Sequence, residues 1–205
     1  MRIEFCGPMG IGKTTMAKAL ADYYHWTFVE EASVDHPFLP GFYKNPQKYG
    51  FEKDAYFALA YINNVKKYIG NNTIFDAGHL GGQSYNALTS KTPEEQAAMR
   101  ALYAHADTLK PDLIIYLDYP VDKILARIAS RGRDMEDGIP ESYIRDLKNE
   151  MEKRLSSANA PVLRLNMEEI DLIARPDDVR KIARLVNEKL QKTQVPSPRS
   201  WHLKS

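Results

Sequence analysis

Cysteine is nearly absent, with Cys6 the only one in 205 residues. No internal disulfide can form, so an apolar core must hold the chain, and the composition suits a reducing, cytoplasmic compartment. Cys6 itself is expected as a buried thiol in a first strand. Long apolar runs are missing too. No stretch approaches the roughly eighteen apolar residues of a membrane span, and the N-terminus has no apolar signal core, so a soluble intracellular protein without a membrane partner is expected. Charge of one sign is not in excess either. With 28 basic and 27 acidic side chains the formal net charge is +1, which leaves no global field to hold nucleic acid, and any anion must be bound locally. The histidines show no metal-ligand spacing, so no zinc site is expected.

What is present is an alternation of patterns. The runs RIEFC (2–6), TFVE (27–30), TIFD (73–76), DLIIYLD (112–118) and PVLRLN (161–166) read as strands. Helical patterns cover 14–24, 46–69, 93–109, 121–130, 140–155 and 176–191, several starting at or near a proline, which a first helical turn tolerates. This order predicts an α/β fold with a five-stranded parallel sheet covered on both faces. A single domain is expected over 1–192. Residues 193–205 carry two prolines and little periodicity and read as a flexible C-terminal tail.

Three glycines in six residues follow the first strand, in Gly7-Pro8-Met9-Gly10-Ile11-Gly12-Lys13-Thr14-Thr15. The stretch fits G-x-x-x-x-G-K-[ST] between a strand and a helix, where glycine torsions turn successive N–H groups inward at the positive end of the next helix. Phosphate is the natural occupant. The bare pattern should arise by chance in about one chain in a hundred of this length. The main chain of Gly7, Met9, Gly10, Ile11 and Gly12, with Lys13, Thr14 and Thr15, is expected to hold the phosphates of ATP, and the Thr14 hydroxyl to face Mg²⁺. The guanine-reading Asn-Lys-x-Asp of GTPases is absent, and a helical insertion after the second strand suits a small phosphotransferase.

Two further segments fit that chemistry. ILARIASRGRDMEDGI places Arg127, Arg131 and Arg133 within seven residues. Arg127 and Arg131 are i,i+4 neighbours on a helix, and Gly132 releases the chain so that Arg133 can point elsewhere. Such a cluster suits a lid over a transferring phosphoryl group, although a solvated basic helix face balanced by Asp134, Glu136 and Asp137 has the same composition. Glu30 and Glu31 end the second strand, at the edge where α/β ligands bind, and one of the two should face the site. A carboxylate there accepts a hydroxyl proton; the plain alternative is a solvated acidic pair.

The assembled residues resemble the deoxyribonucleoside kinase family over about residues 1 to 190. GPMGIGKTT is similar to its phosphate loop, EEASVDHPFLPGFYKNPQKYGFEKDAYF to its glutamate segment, and RIASRGRDMEDGIPESYIRDL to its R-x-x-R-G-R-x-x-E lid. The resemblance implies a P-loop kinase three-layer sandwich with a helical insertion and an arginine lid. It implies transfer of the γ-phosphoryl of ATP, with Mg²⁺, to the 5′-hydroxyl of a nucleoside. Glu31 would be the base, Lys13, Arg131 and Arg133 catalytic cations, and Arg127 and Arg131 contacts of the phosphate donor. Glu136 would lie near the sugar, and a homodimer through helices on one face is implied. Departures bear on the acceptor. Asp54 stands where the family has its base-pairing Gln, Tyr61 where it has Arg, and Asp76-Ala77-Gly78 where it has D-R-S. Tyr43, Asp54, Phe57, Tyr61 and Asp76 are expected around the acceptor. Among the aromatics Phe38, Phe42, Tyr43, Tyr49, Phe51, Tyr56, Phe57 and Tyr61, some would stack on a planar ring, although most read as core. His79 reads as a loop histidine at a strand end, an incidental surface residue or, alternatively, one that touches substrate. Two alternatives remain open: a nucleoside monophosphate or modified nucleotide as acceptor, and a nucleotide-binding subunit without catalysis.

Overall fold

A computed structural model describes residues 1–33, 35–132, 138–172 and 174–194. Strand β1 (Arg2–Cys6) leads into α1 (Lys13–Tyr24) and β2 (Thr27–Val29). Two helices follow, α2 (Leu39–Lys44) and α3 (Pro46–Lys67), before β3 (Thr73–Phe75), α4 (His79–Ala87) and α5 (Pro93–Asp107). Then come β4 (Leu113–Asp118), α6 (Val121–Arg131), α7 (Glu141–Ser156), β5 (Val162–Asn166) and α8 (Asp178–Gln194).

All four strand pairings are parallel, in the order β2-β3-β1-β4-β5. Side chains alternate across the sheet, and both faces are covered, as a parallel sheet requires. Ile3, Phe5, Leu113, Ile115 and Leu117 pack on one face in the same core as residues of α1, α6 and α8. Cys6, Ile114 and Tyr116 pack on the other, with Leu80 of α4 and Leu147 and Met151 of α7. Burial pushes the Cys6 thiol up to about 12, so it is a core residue and no nucleophile. The insertion has its own apolar contact, Ala58 and Ile62 of α3 against Met99 and Tyr103 of α5.

The topology decides where a ligand sits. Because β1 lies between β3 and β4, the loops leaving β1 and β3 run to opposite sides of the sheet, and the crevice between them opens at their carboxyl ends. Among the described residues no helix is long and apolar enough to cross a membrane.

Two helices lie outside the expected set. Helix α2, LPGFYK, is too short for a period to register. Helix α4, HLGGQSYNA, carries two interior glycines that lower its propensity, and packing against α7, α3 and α5 holds it. His79 therefore opens a helix instead of a loop, and it is 5% exposed, not a surface histidine. Its ring lies 3.5 Å from Glu4 through Nδ1 and 3.1 Å from Asp107 through Nε2. The 140–155 segment begins one residue late, since Pro140 is the cap residue and Glu141 the first helical one.

Candidate active site

The loop 7–12 turns on glycine torsions. Gly10 has φ +76° and Gly12, the cap of α1, has φ +105°, both in the left-handed region that other residues adopt at a cost. No side chain caps α1 and no acidic residue sits in its first turn, so its leading N–H groups are left for an anion. Close approach matters as well, because a Cβ on Gly10 would lie 2.5 Å from Cγ1 of Ile128 on α6. Lys13 folds back over the loop and donates from Nζ to the carbonyls of Gly7 (3.0 Å) and Pro8 (3.1 Å). The Ile11 side chain is buried in the core, while its carbonyl faces α6 and accepts from Arg127 Nη1 at 2.8 Å.

A cavity of about 1350 Å³ runs from this loop into the space under α2 and α3. That exceeds the roughly 300–1,000 Å³ of a typical single-ligand pocket and leaves room for a phosphate donor and an acceptor together. Met9, Gly10, Gly12, Lys13, Thr14 and Thr15 line the loop end. Arg127 and Arg131 reach the cavity from the last turns of α6, with the Arg127 guanidinium 4.3 Å from the centre of the Tyr119 ring. Gly132, at φ +59°, then ends the helix. Arg133 and Glu136 lie outside the described residues.

The carboxylates come from the ends of β2 and β3. Glu31 lines the cavity, and burial holds its carboxyl above the ordinary range, with Lys13 and Lys53 opposing the shift and Asp76 adding to it. Glu30 also borders the cavity but is exposed, 4.0 Å from Lys18. Asp76 accepts from the Thr14 hydroxyl at 2.8 Å through Oδ2, while its buried Oδ1 has no hydrogen-bond partner among the described residues. Its carboxyl too is raised, chiefly by burial. After it, Gly78 donates to the Phe5 carbonyl at 3.0 Å, and any side chain at 78 would run into the carboxylate of Glu4. Gly78 thus answers to Glu4, which stands 1% exposed on β1. Glu4 in turn accepts from Tyr61 Oη and from Arg2 Nε, each at 2.8 Å.

Helices α2 and α3 supply the far wall. Tyr43, Asp54, Phe57 and Tyr61 all border the cavity, as does Phe42. None of the seven aromatics from Phe38 to Phe57 falls in the fully buried core and all are partly exposed; Phe42, Tyr43 and Phe57 border the cavity, while Phe51 packs against the cluster of Ala58, Ile62, Met99 and Tyr103. Asp54 is 2% exposed and clamped, with Oδ1 2.8 Å from Lys53 Nζ and Oδ2 2.6 Å from Lys91 Nζ. Neither lysine was legible as a site residue, since Lys91 joins from a loop 37 residues away. His36 buttresses this wall. Its Nδ1 accepts from the amides of Phe38 and Leu39, so Nε2 carries the proton toward the Lys53 carbonyl at 3.1 Å, and burial lowers its pKa.

A glycine loop with its lysine at the carboxyl edge of a parallel sheet, under a helix bearing arginines, defines a P-loop phosphotransferase. A sequence profile described as deoxynucleoside kinase matches residues 3–191. The chain belongs to the deoxynucleoside kinase family and is a nucleoside kinase. It is 30% identical over 201 residues to the deoxyadenosine/deoxycytidine kinase of Bacillus subtilis (strain 168), covering 88% of each chain. With the deoxyguanosine kinase of the same organism it shares 28% identity over 197 residues, 89% of this chain and 94% of the relative. The structure of deoxyadenosine kinase from M. mycoides with bound dCTP superposes with a TM-score of 0.76 at 22% identity, over 92% of this chain and 100% of that one, a likeness of fold.

Proposed function

We propose that the enzyme transfers the γ-phosphoryl of ATP to the 5′-hydroxyl of a deoxynucleoside. The acceptor oxygen forms the new bond to the γ-phosphorus, the bond to the β,γ-bridging oxygen breaks, Glu31 takes the hydroxyl proton, and ADP leaves. The observation that carries this reading is that Glu31 and the loop lysine face one cavity large enough for two ligands. The raised pKa of Glu31 brings its basicity closer to that needed at neutral pH. Lys13, the first N–H groups of α1, Arg127 and Arg131 would hold and neutralise the phosphates, whose charge spreads over three oxygens in the transition state.

Thr14 and Asp76 fit Mg²⁺: both offer oxygen, they meet at 2.8 Å, and the buried Asp76 Oδ1 has no partner among the described residues. Held there by Thr14 and Asp76, the ion would supply charge neutralisation to the nucleotide phosphates. Phe57, Tyr43 and Tyr61 offer apolar ring area to a base and sugar.

The test is a panel of deoxynucleosides and deoxynucleoside monophosphates incubated with γ-labelled ATP. Label should enter the nucleosides alone. Label only in the monophosphates would transfer the reading to a nucleotide acceptor, and no label in either would leave a binding protein.

A further inference from the structure

The wall of α3 carries an unbalanced charge that the transfer chemistry does not use. Lys53, Asp54 and Lys91 form one buried group with two cations and one anion, the side chains 5%, 3% and 1% exposed. Lys91 is saturated, since its three donors meet Asp54 Oδ2 (2.6 Å), the Asn86 carbonyl (3.3 Å) and the Thr89 carbonyl (3.4 Å). Lys53 is not. Among the described residues its ammonium finds one acceptor, Asp54 Oδ1 at 2.8 Å, and the face of Phe42 with the ring centre 4.2 Å away. Lys53, Asp54 and Phe42 all border the cavity.

A buried ammonium with spare donors needs an acceptor, because an unmet donor in a dry site is costly and an unmet charged one more so. Asp54, the one carboxylate of this wall, has both oxygens committed to lysines. Among the described residues the wall therefore presents Lys53 as a charged donor and Asp54 as a carboxylate already taken, while Gln47 and Asn64, which also border the cavity, are neutral amides. Burial lowers the Lys53 pKa, while Asp54 and, after it, Glu31 favour the charged form; Glu31 is the group given to the 5′-hydroxyl.

We infer that Lys53 selects the acceptor by its base edge, donating to an exocyclic carbonyl oxygen, so that oxo bases are taken in preference to amino bases. The inference rests on the nucleoside kinase reading. An exocyclic amino group at that point would set two donors against each other and leave both unpaired, a mismatch that polar sites reject strongly. A carbonyl accepts one of the free ammonium donors, while Lys91 keeps Asp54 neutralised. Lys53 thus serves as a specificity-determining residue, and the Asp54–Lys91 pair as its support.

Deoxyinosine against deoxyadenosine and deoxyuridine against deoxycytidine probe this edge: each pair exchanges a carbonyl for an amino group and, with it, the neighbouring ring N–H for an acceptor nitrogen, so the Lys53→Met variant is what assigns the preference to Lys53. Within whichever pair the enzyme phosphorylates, kcat/KM should favour the oxo member by about tenfold or more. In Lys53→Met, whose folding is checked by thermal melting, the ratio should fall toward one, with the loss appearing in KM. Lys53→Arg, which keeps the charge, should retain the preference. A preference for the amino member overturns the inference even if no variant folds. So does an unchanged ratio in a folded Lys53→Met. Those results leave the kinase reading intact, whereas absence of phosphoryl transfer to every nucleoside overturns both.

Discussion

Burial governs what Glu31 does, and its consequences for rate and for stability have opposite signs. The carboxylate must be ionised to take a proton, and its folded pKa lies above the ordinary 4.5. Activity should therefore fall, as pH drops, along a limb displaced upward from the usual carboxylate range. Glu31→Gln should lower kcat by roughly 10²–10⁴-fold and remove that limb from the pH profile. For stability, a raised folded pKa means that the folded state holds the proton more tightly than the unfolded chain. The charge then weighs against folding above the folded pKa, and the penalty vanishes below the unfolded value. Glu31→Gln should accordingly melt higher than the parent at neutral pH and match it near pH 4; a lower melting temperature at neutral pH would contradict the burial of this group. Its place as a candidate was legible in the sequence because a strand end in a parallel sheet is a local feature. That Asp76, 45 positions on, would oppose Lys13 and Lys53 in setting its pKa was not, because those charges meet only after folding.

At the scale of elements, the loop after β1 and the helix α6 constrain each other. Gly10 has both a positive φ and no space for a side chain against Ile128, whereas Gly132 has a positive φ and, among the described residues, nothing within 4 Å of a Cβ placed there. Gly132→Ala should cost about 1–2 kcal/mol from backbone strain alone. Gly10→Ala adds a clash with a packed isoleucine and should cost more in urea unfolding, with ATP affinity lost, because α6 carries Arg127 to the Ile11 carbonyl. Equal costs would mean that the helix is not seated on the loop. Helix α5 shows what a sequence can announce: Thr92 and Glu95 form a reciprocal capping box with Pro93 at the first position. Helix α4 shows the opposite, since HLGGQSYNA holds no such signal and owes its form to its neighbours. The partly exposed aromatics of α2 and α3 follow the same logic. Their spacing could not tell a core from a cavity wall, and the difference is whether other residues fill the space they face.

For the whole molecule, the two ligand ends of one cavity make binding a stability term. Mg·ATP at a hundred times its Kd should raise the unfolding free energy by about 2.7 kcal/mol, read as a shift in calorimetry. Lys13→Ala should lose most of that shift, and a variant protected as fully as the parent would remove the loop from the site. The sequence by itself determined the five strands and six of the eight described helices, the parallel sheet, the phosphate loop and the arginines of α6, all carried by period and spacing over a few neighbouring residues. Only the tertiary structure decided that Asp54 is held between two lysines, that Tyr61 and His79 turn to Glu4, and that Asp76 meets Thr14. Those are contacts between elements far apart in the chain, and charge and hydrogen-bond pairing over such separations is fixed by packing, to which no local pattern is sensitive.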